Sequence, residues 1–255
     1  PCPAPVVDAS AIRPAHAATP GDAPEGQPRL YTDGRFATPD GRARFQAPAW
    51  QPTAEVRDAR HPIALTTGRL RDQWHGVSRT GTLGRLFAHT PQPSIDLHPQ
   101  DLARRGLREG QLVRVRSRRG ELILPVQASD AVAPAQAFIA MHWGDEVLGG
   151  RGALGVNALM PSAHCPRSLQ PELKHAAVRL EAVALPWQVV GAAWLPADRW
   201  VQVREQLRPL MAELGFACCV PFGREPADEV GLWWRGADER PLLVSGQPEI
   251  RDYKM

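Results

Sequence analysis

The sequence predicts a mainly β fold with short helices, arranged as a β-barrel under long loops. Proline and glycine are abundant, 26 and 22 of 255 residues, about 19% of the chain against a usual ~12%. That suits short strands joined by turns and disfavours a helical bundle. Several segments of five or six residues are apolar or alternate apolar with polar, at the period of two expected of buried or half-buried strands. Turn-forming residues bracket most of them.

Residues 1–28 are rich in Pro and Ala and lack hydrophobic periodicity, so an extended connector is expected there. Asp40-Gly41, followed by Arg42-Ala43-Arg44-Phe45, reads as a short hairpin. Pro62-Ile63-Ala64-Leu65-Thr66 is a strand running into Thr67-Gly68-Arg69. A short helix is expected over 99–105, because Pro99 suits a first turn and Gly106 can stop it. Leu112 to Ser117 alternates apolar with basic, Arg118-Arg119-Gly120 turns the chain, and Glu121 to Val126 returns as the partner strand. Ala137 to Met141 and Val178 to Val183 supply two more strands. Trp187 to Leu195 reads as a strand and Pro196 to Leu214 as an amphipathic helix, with Trp200, Val203, Leu207, Leu210, Met211 and Leu214 at helical spacing. Pro209 falls inside that pattern and predicts a kink or an early break. Phe216 to Val220, Val230 to Trp234 and Pro241 to Val244 complete a small α+β unit. The expected organisation is a connector with a hairpin over 1–60, a barrel over 61–183 and a truncated α+β tail over 184–255.

Composition narrows the function classes. No apolar run approaches the ~18–20 residues that cross a bilayer, and the chain opens without the basic and apolar regions of a secretion signal. The four cysteines, Cys2, Cys165, Cys218 and Cys219, have no CxxC spacing. They therefore predict mostly buried thiols in a reducing compartment rather than a metal site. The eight histidines show neither HxxxH nor HExxH spacing. Net charge is +3, and Lys174 and Lys254 are the two lysines among 30 basic residues. Arginine forks suit bidentate phosphate contacts.

Three segments carry candidate chemistry. In the first, Thr66, Thr67, Gly68, Arg69, Leu70, Arg71, Asp72, Gln73, Trp74, His75 and Gly76 follow a strand. Small residues there let backbone N–H groups approach a ligand, and the hydroxyl, Arg and His donors complete a cradle for a diphosphate or another dense anion. An ordinary strand-end turn explains the same residues. In the second, Met141-His142-Trp143-Gly144-Asp145 offers a stacking face and a ring donor, or simply an interior Trp beside a satisfied His. In the third, from Val156 to His175, Asn157 can pair with a base edge and Lys174 can neutralise a phosphate; both residue types are also ordinary on a surface.

Taken in order and at this separation, these segments resemble the C-terminal molybdopterin guanine dinucleotide-binding domain of the dimethyl-sulfoxide-reductase family of molybdenum enzymes. The resemblance is carried by Thr67-Gly68-Arg69…Gln73-Trp74-His75, by His98-Pro99 through Gly106-Leu107…Gly110…Val113-Arg114-Val115, by Met141-His142-Trp143, by Asn157, and by Gln170-Pro171-Glu172-Leu173-Lys174. Arg79-Thr80-Gly81 and the upstream Tyr31-Thr32-Asp33-Gly34-Arg35-Phe36 with Pro39 to Phe45 make it most similar to assimilatory nitrate reductases. It covers residues 29–183 well and the tail loosely.

The resemblance implies a double-psi β-barrel (aspartate-decarboxylase-like) whose loops cover bis-molybdopterin guanine dinucleotide, the molybdenum cofactor. Carried across residue by residue, residues 66–76, His142, Trp143, Asn157 and Lys174 would bind that cofactor, with Trp143 also near the substrate funnel. No catalytic residue and no protein-ligated metal are expected in this chain. The [4Fe–4S] cysteine set and the metal-facing residue are expected upstream, so this reads as a C-terminal portion, inactive by itself. The implied substrate is nitrate and the location cytoplasmic. The implied partners are the N-terminal catalytic region and a redox partner or reductase subunit, with no nucleic acid or membrane. Formate dehydrogenases and periplasmic nitrate reductases use the same barrel, and an Arg-rich binding module without catalysis is the rival from another class.

Overall fold

A computed structural model describes residues 31–45, 47, 49–152, 154–166, 168–223 and 229–241. The chain divides into two compact units, 1–51 and 52–255. In the described part of the first, Tyr31 and Phe36 stack with ring centroids 4.9 Å apart. The chain turns where expected, with the Phe36 N–H donating to the Gly41 carbonyl at 2.9 Å and Gly41 at φ +67. The expected hairpin does not form among the described residues, since no strand flanks this turn. Side-chain contacts such as Thr38 Oγ1 on the Arg42 carbonyl take the place of a ladder.

The second unit contains a closed six-stranded barrel, the double-psi β-barrel that the resemblance implies. Its strands are β1 (Ile63–Gly68), β2 (Ile95–Leu97), β3 (Leu112–Arg116), β4 (Glu121–Ala128), β5 (Gln136–Ala140) and, after the two-residue β6 (Leu148–Gly149), β7 (His175–Ala182). The order around the barrel is β1-β5-β2-β4-β3-β7, closing on β1. β1 runs parallel to β5, and β2 to β4; the other neighbours are antiparallel. Alternation does what it should on β1, burying Ile63, Leu65 and Thr67. Ile95, Leu97, Val113, Val115, Leu124, Ile139 and Val178 fill the interior with them. The three-residue β2 carries too little periodic signal to be read from sequence, and its place is set by β4 and β5 on either side.

The helix α1 (Pro99–Arg105) lies where the sequence places it, with Pro99 in the first turn and Gly106 at φ +63 as its left-handed cap. The His98 ring caps the other end by accepting the Gln100 N–H at 3.1 Å.

β8 (Trp187–Pro196), α2 (Trp200–Glu213), β9 (Phe216–Phe222) and β10 (Glu229–Asp238) build a four-stranded sheet, ordered β6-β9-β10-β8, with a helix packed on it. The helix starts four residues later than the sequence suggested and runs through Pro209 without the expected break. Pro209 is exposed, while Leu207 and Met211 on either side of it pack into the cluster under the sheet, so burial holds the helix where one backbone bond is lost. The strand expected at Pro241 to Val244 falls largely outside the described residues.

The thiols of Cys218 and Cys219 are pushed up to about 12 by burial. Cys165 is exposed, against the expectation of buried thiols, and Cys2 lies outside the described residues. No described helix is long and apolar enough to cross a membrane.

Candidate functional site

Barrel topology brings the candidate segments together. Because β1 and β5 are parallel neighbours, with Gly68 opposite Ala140, the segments that leave them emerge at the same end. β7 runs antiparallel to β1 with His175 opposite Thr66, so Lys174, just before β7, enters at that end too. The β3–β4 turn points the same way: Arg119 on that turn donates to the Leu159 carbonyl at 3.2 Å, beside the 3₁₀ turn Val156–Leu159 that carries Asn157. Gly155, at φ +74, lets this turn close on the 142–144 segment, since a Cβ there would sit 2.7 Å from the Trp143 carbonyl oxygen.

The loop that follows β1 is shaped from inside. The Thr66 hydroxyl donates to the Ala137 carbonyl at 3.1 Å, and Thr67 is buried. A Cβ on Gly68 would press on the Phe138 ring at 3.1 Å. Gln73 is buried and uses both ends of its amide: its nitrogen donates to the Leu86 carbonyl at 3.0 Å, and its oxygen accepts the Thr80 hydroxyl at 2.7 Å. The Thr80 hydroxyl in turn accepts the Trp74 N–H at 3.1 Å. His142 is wholly buried and touches the loop twice, accepting the Leu70 N–H at 2.9 Å on Nε2 and donating from Nδ1 to the His75 carbonyl at 2.5 Å. Burial holds its pKa below the usual histidine value, and the nearby charges of Arg69, His75 and Lys174 push the same way against the His75 hydrogen bond. His75 and Val77 adopt positive φ, +41 and +56, a strained state for residues other than glycine.

The charged groups separate into paired and unpaired. Arg71 grips Asp72 with two bonds, at 2.9 and 3.0 Å, and His89 meets the same carboxylate at 2.7 Å. The Asp72 carboxylate is accordingly held below its ordinary pKa, chiefly by Arg71. The Arg71 charge, assigned to phosphate from the sequence, is thus already matched. Arg69 is exposed and has no carboxylate partner among the described residues. Lys174 is exposed, with its ammonium 3.8 Å from the Met141 sulfur and no described carboxylate partner. Trp74 is half-exposed, with the Arg79 guanidinium 5.5 Å from its ring centre. Asn157 and Gly76 are exposed, and space around Gly76 is open.

Trp143 is a correction to the sequence reading. At 1% exposure it lies in the barrel core, 6.4 Å from Phe87 ring to ring, and offers no face for stacking. His142 likewise has no ring donor left for a ligand.

One cluster was not visible in the sequence. Glu55 lies on the segment before β1, and its carboxylate accepts the Ala177 N–H at 2.7 Å and meets Arg119 at 2.7 Å and Arg118 at 3.3 Å. Its partners lie some sixty to 120 residues away, so no local pattern could announce it. A groove of about 830 Å³ runs beside the loop, lined by Asp72, Arg85, Phe87, His89 and Phe222 among others.

This end of the barrel offers two unmatched cations, close backbone approach and a loop braced from below, as a polyanionic ligand requires. Among known families, the model described as "Molydopterin dinucleotide binding domain" matches residues 63–177. Residues 63–177 are a molybdopterin dinucleotide-binding domain. The dinucleotide-binding domain so placed runs from the start of β1 into β7, taking in all three candidate segments.

Among curated relatives, a nitrate reductase of Klebsiella oxytoca is 38% identical over 176 residues, 69% of this chain and 19% of the relative. A nitrate reductase of Synechocystis is 41% identical over 155 residues, 61% of this chain and 21% of the relative. The chain therefore spans about a fifth of the length of these relatives. Acetylene hydratase from Pelobacter acetylenicus superposes on 48% of this chain and 18% of its own, at 20% identity and a TM-score of 0.38.

Proposed function

We propose that this chain is the C-terminal cofactor-binding portion of a molybdenum-dependent nitrate reductase of the assimilatory, cytoplasmic kind. In this reading it clamps bis-molybdopterin guanine dinucleotide and lines the approach of nitrate. The observation that carries the reading is the pair of unmatched cations, Arg69 and Lys174, at the loop end of a molybdopterin dinucleotide-binding domain. A ligand bearing several phosphate charges needs such cations, and a neutral ligand does not. The identity with nitrate reductases supports nitrate as the substrate in this reading.

When bound, the molybdenum cofactor supplies two-electron oxygen-atom transfer, which turns nitrate into nitrite. The share of this chain is binding and electrostatics. Arg69 and Lys174 neutralise phosphate charge, and backbone N–H groups of the 67–76 loop other than those of Leu70 and Trp74 take the remaining oxygens. Asn157 reaches a polar edge of the cofactor. Arg79 and Arg85 raise the local concentration of an anionic substrate. The [4Fe–4S] cluster and the metal-facing residue belong to the other four-fifths of the protein in this reading, as does the surface for an electron-donating partner.

The test is made on the whole protein containing this chain, purified with its cofactor. Molybdenum and acid-released GMP are counted per polypeptide, and nitrite formation is measured. Arg69→Ala with Lys174→Ala is expected to lower retained GMP at least tenfold. Arg79→Ala with Arg85→Ala is expected to raise KM for nitrate at low salt and leave GMP content unchanged. Full GMP retention in the first double variant overturns the cofactor-binding role. A protein that carries the cofactor and reduces formate-linked dyes but not nitrate overturns the substrate.

A further inference from the structure

The buried ring of His142 has a defined protonation state, and its partners define it. A backbone N–H can only donate and a carbonyl can only accept. Nε2, facing the Leu70 N–H at 2.9 Å, must therefore be bare, and Nδ1, facing the His75 carbonyl at 2.5 Å, must carry the proton. The two contacts bracket the turn between Leu70 and His75, the stretch that also holds Arg71, Asp72, Gln73 and Trp74. The ring is anchored in its turn: the Met141 N–H donates to the Gly68 carbonyl at 2.9 Å, and Trp143 is buried in the core. One contact also holds the carbonyl of His75, a residue at positive φ.

We propose that His142 is a positioning residue which, as the neutral Nδ1–H tautomer, holds the Leu70-to-His75 turn in the shape that receives the dinucleotide, and that a second proton releases the turn. The proposal rests on the dinucleotide-binding reading of this barrel end. A proton on Nε2 would set N–H against the Leu70 N–H with no acceptor between them, so the bracket opens on one side. The charged groups around the ring are Arg69 and His75 from the loop after β1 and Lys174 from the segment before β7, and all three oppose the extra positive charge. The fold thus keeps His142 neutral near pH 7.

Two readouts on the whole protein test this. The first is hydrogen–deuterium exchange of the peptide containing Leu70, followed from pH 8 to pH 5 and corrected for intrinsic exchange. Wild-type protection is expected to hold at neutral pH and to fall below the ordinary histidine value of 6.5. The second is GMP retained per polypeptide over the same range, expected to fall with the same midpoint. His142→Gln keeps a donor and an acceptor on one planar group, so it should retain the dinucleotide at pH 7 and lose the pH step in both readouts. His142→Phe keeps bulk without either bond and should lose retention at least tenfold at pH 7. His142→Phe with wild-type retention, or the same pH step in His142→Gln as in wild type, overturns the assignment of His142. A wild-type protein that holds no dinucleotide at any pH, with Leu70 still protected, instead overturns the ligand reading beneath it and the proposal with it.

Discussion

In the barrel every strand has two neighbours, whereas the sheet β6-β9-β10-β8 ends on β8, ten residues with one paired edge. Closure removes edges, and the barrel core is correspondingly complete, with Leu65, Ile95, Val113 and Ile139 fully buried. The sheet relies on α2 over one face and leaves Val190 and Trp194 of β8 at 60% and 47% exposure. The two are sewn together next to the site. Leu148, six residues beyond His142, pairs with Cys218, and Arg151 binds Asp238 at 2.8 Å. Gly84 abuts the Phe222 backbone so closely that a Cβ there would overlap the Phe222 carbonyl. The site loops are thus held from two sides, by closure beneath them and by an open sheet clipped to their flank.

The largest expected effect strikes the closed half. Trp143→Ala removes a fully buried indole and should cost ~3–5 kcal/mol in denaturant unfolding. A loss under ~1 kcal/mol would place Trp143 on a surface and undo the contrast. Next comes the seam. Gly84→Ala should cost ~1–3 kcal/mol by overpacking against backbone that cannot swing aside, and should speed amide exchange in β9 more than in β1; equal acceleration would mean that the seam does not localise the strain.

A smaller effect concerns the Glu55 strap on the barrel. Its burial opposes ionisation, but the Ala177 N–H, Arg119 and Arg118 outweigh that and leave its pKa below 4.5. A carboxylate with a depressed folded value contributes stability that is present above 4.5 and lost as pH falls through the folded value. Glu55→Gln should therefore lose ~1 kcal/mol at pH 7 and flatten the stability profile below pH 4.5; an unchanged acid limb assigns the pH dependence elsewhere. Smallest is Val190→Lys on the open edge, expected to shift stability by less than ~0.5 kcal/mol while reducing concentration-dependent light scattering. Unaltered scattering would show that this edge is not what associates.

α1 was readable because Pro99 and Gly106 act through their own backbones, and β3 and β4 because alternation and a turn lie within seventeen residues. The 66–76 loop was readable as a unit, but the jobs inside it were not. Gln73 and Arg71 look like ligand donors in sequence, and in the fold their polar atoms are taken by Thr80, Leu86 and Asp72. Trp143 looks like a stacking face and is core. Whether a side chain is free for a ligand depends on how the fold pairs it, even with a partner as near as Asp72, and local pattern does not encode that pairing.

What the sequence determined by itself is therefore the set of short strands, the capped helix and the identity of the motif-bearing segments, because propensity, capping and alternation act over a few residues. Which groups remain available was settled instead by tertiary contacts. Parallel pairing of β1 with β5 set His142 beneath the loop, the Glu55 strap met arginines from a distant turn, and Arg69 and Lys174 were left unmatched at one end. The physical reason is that a hydrogen bond or ion pair is a property of two positions in space, and barrel closure chooses those pairs.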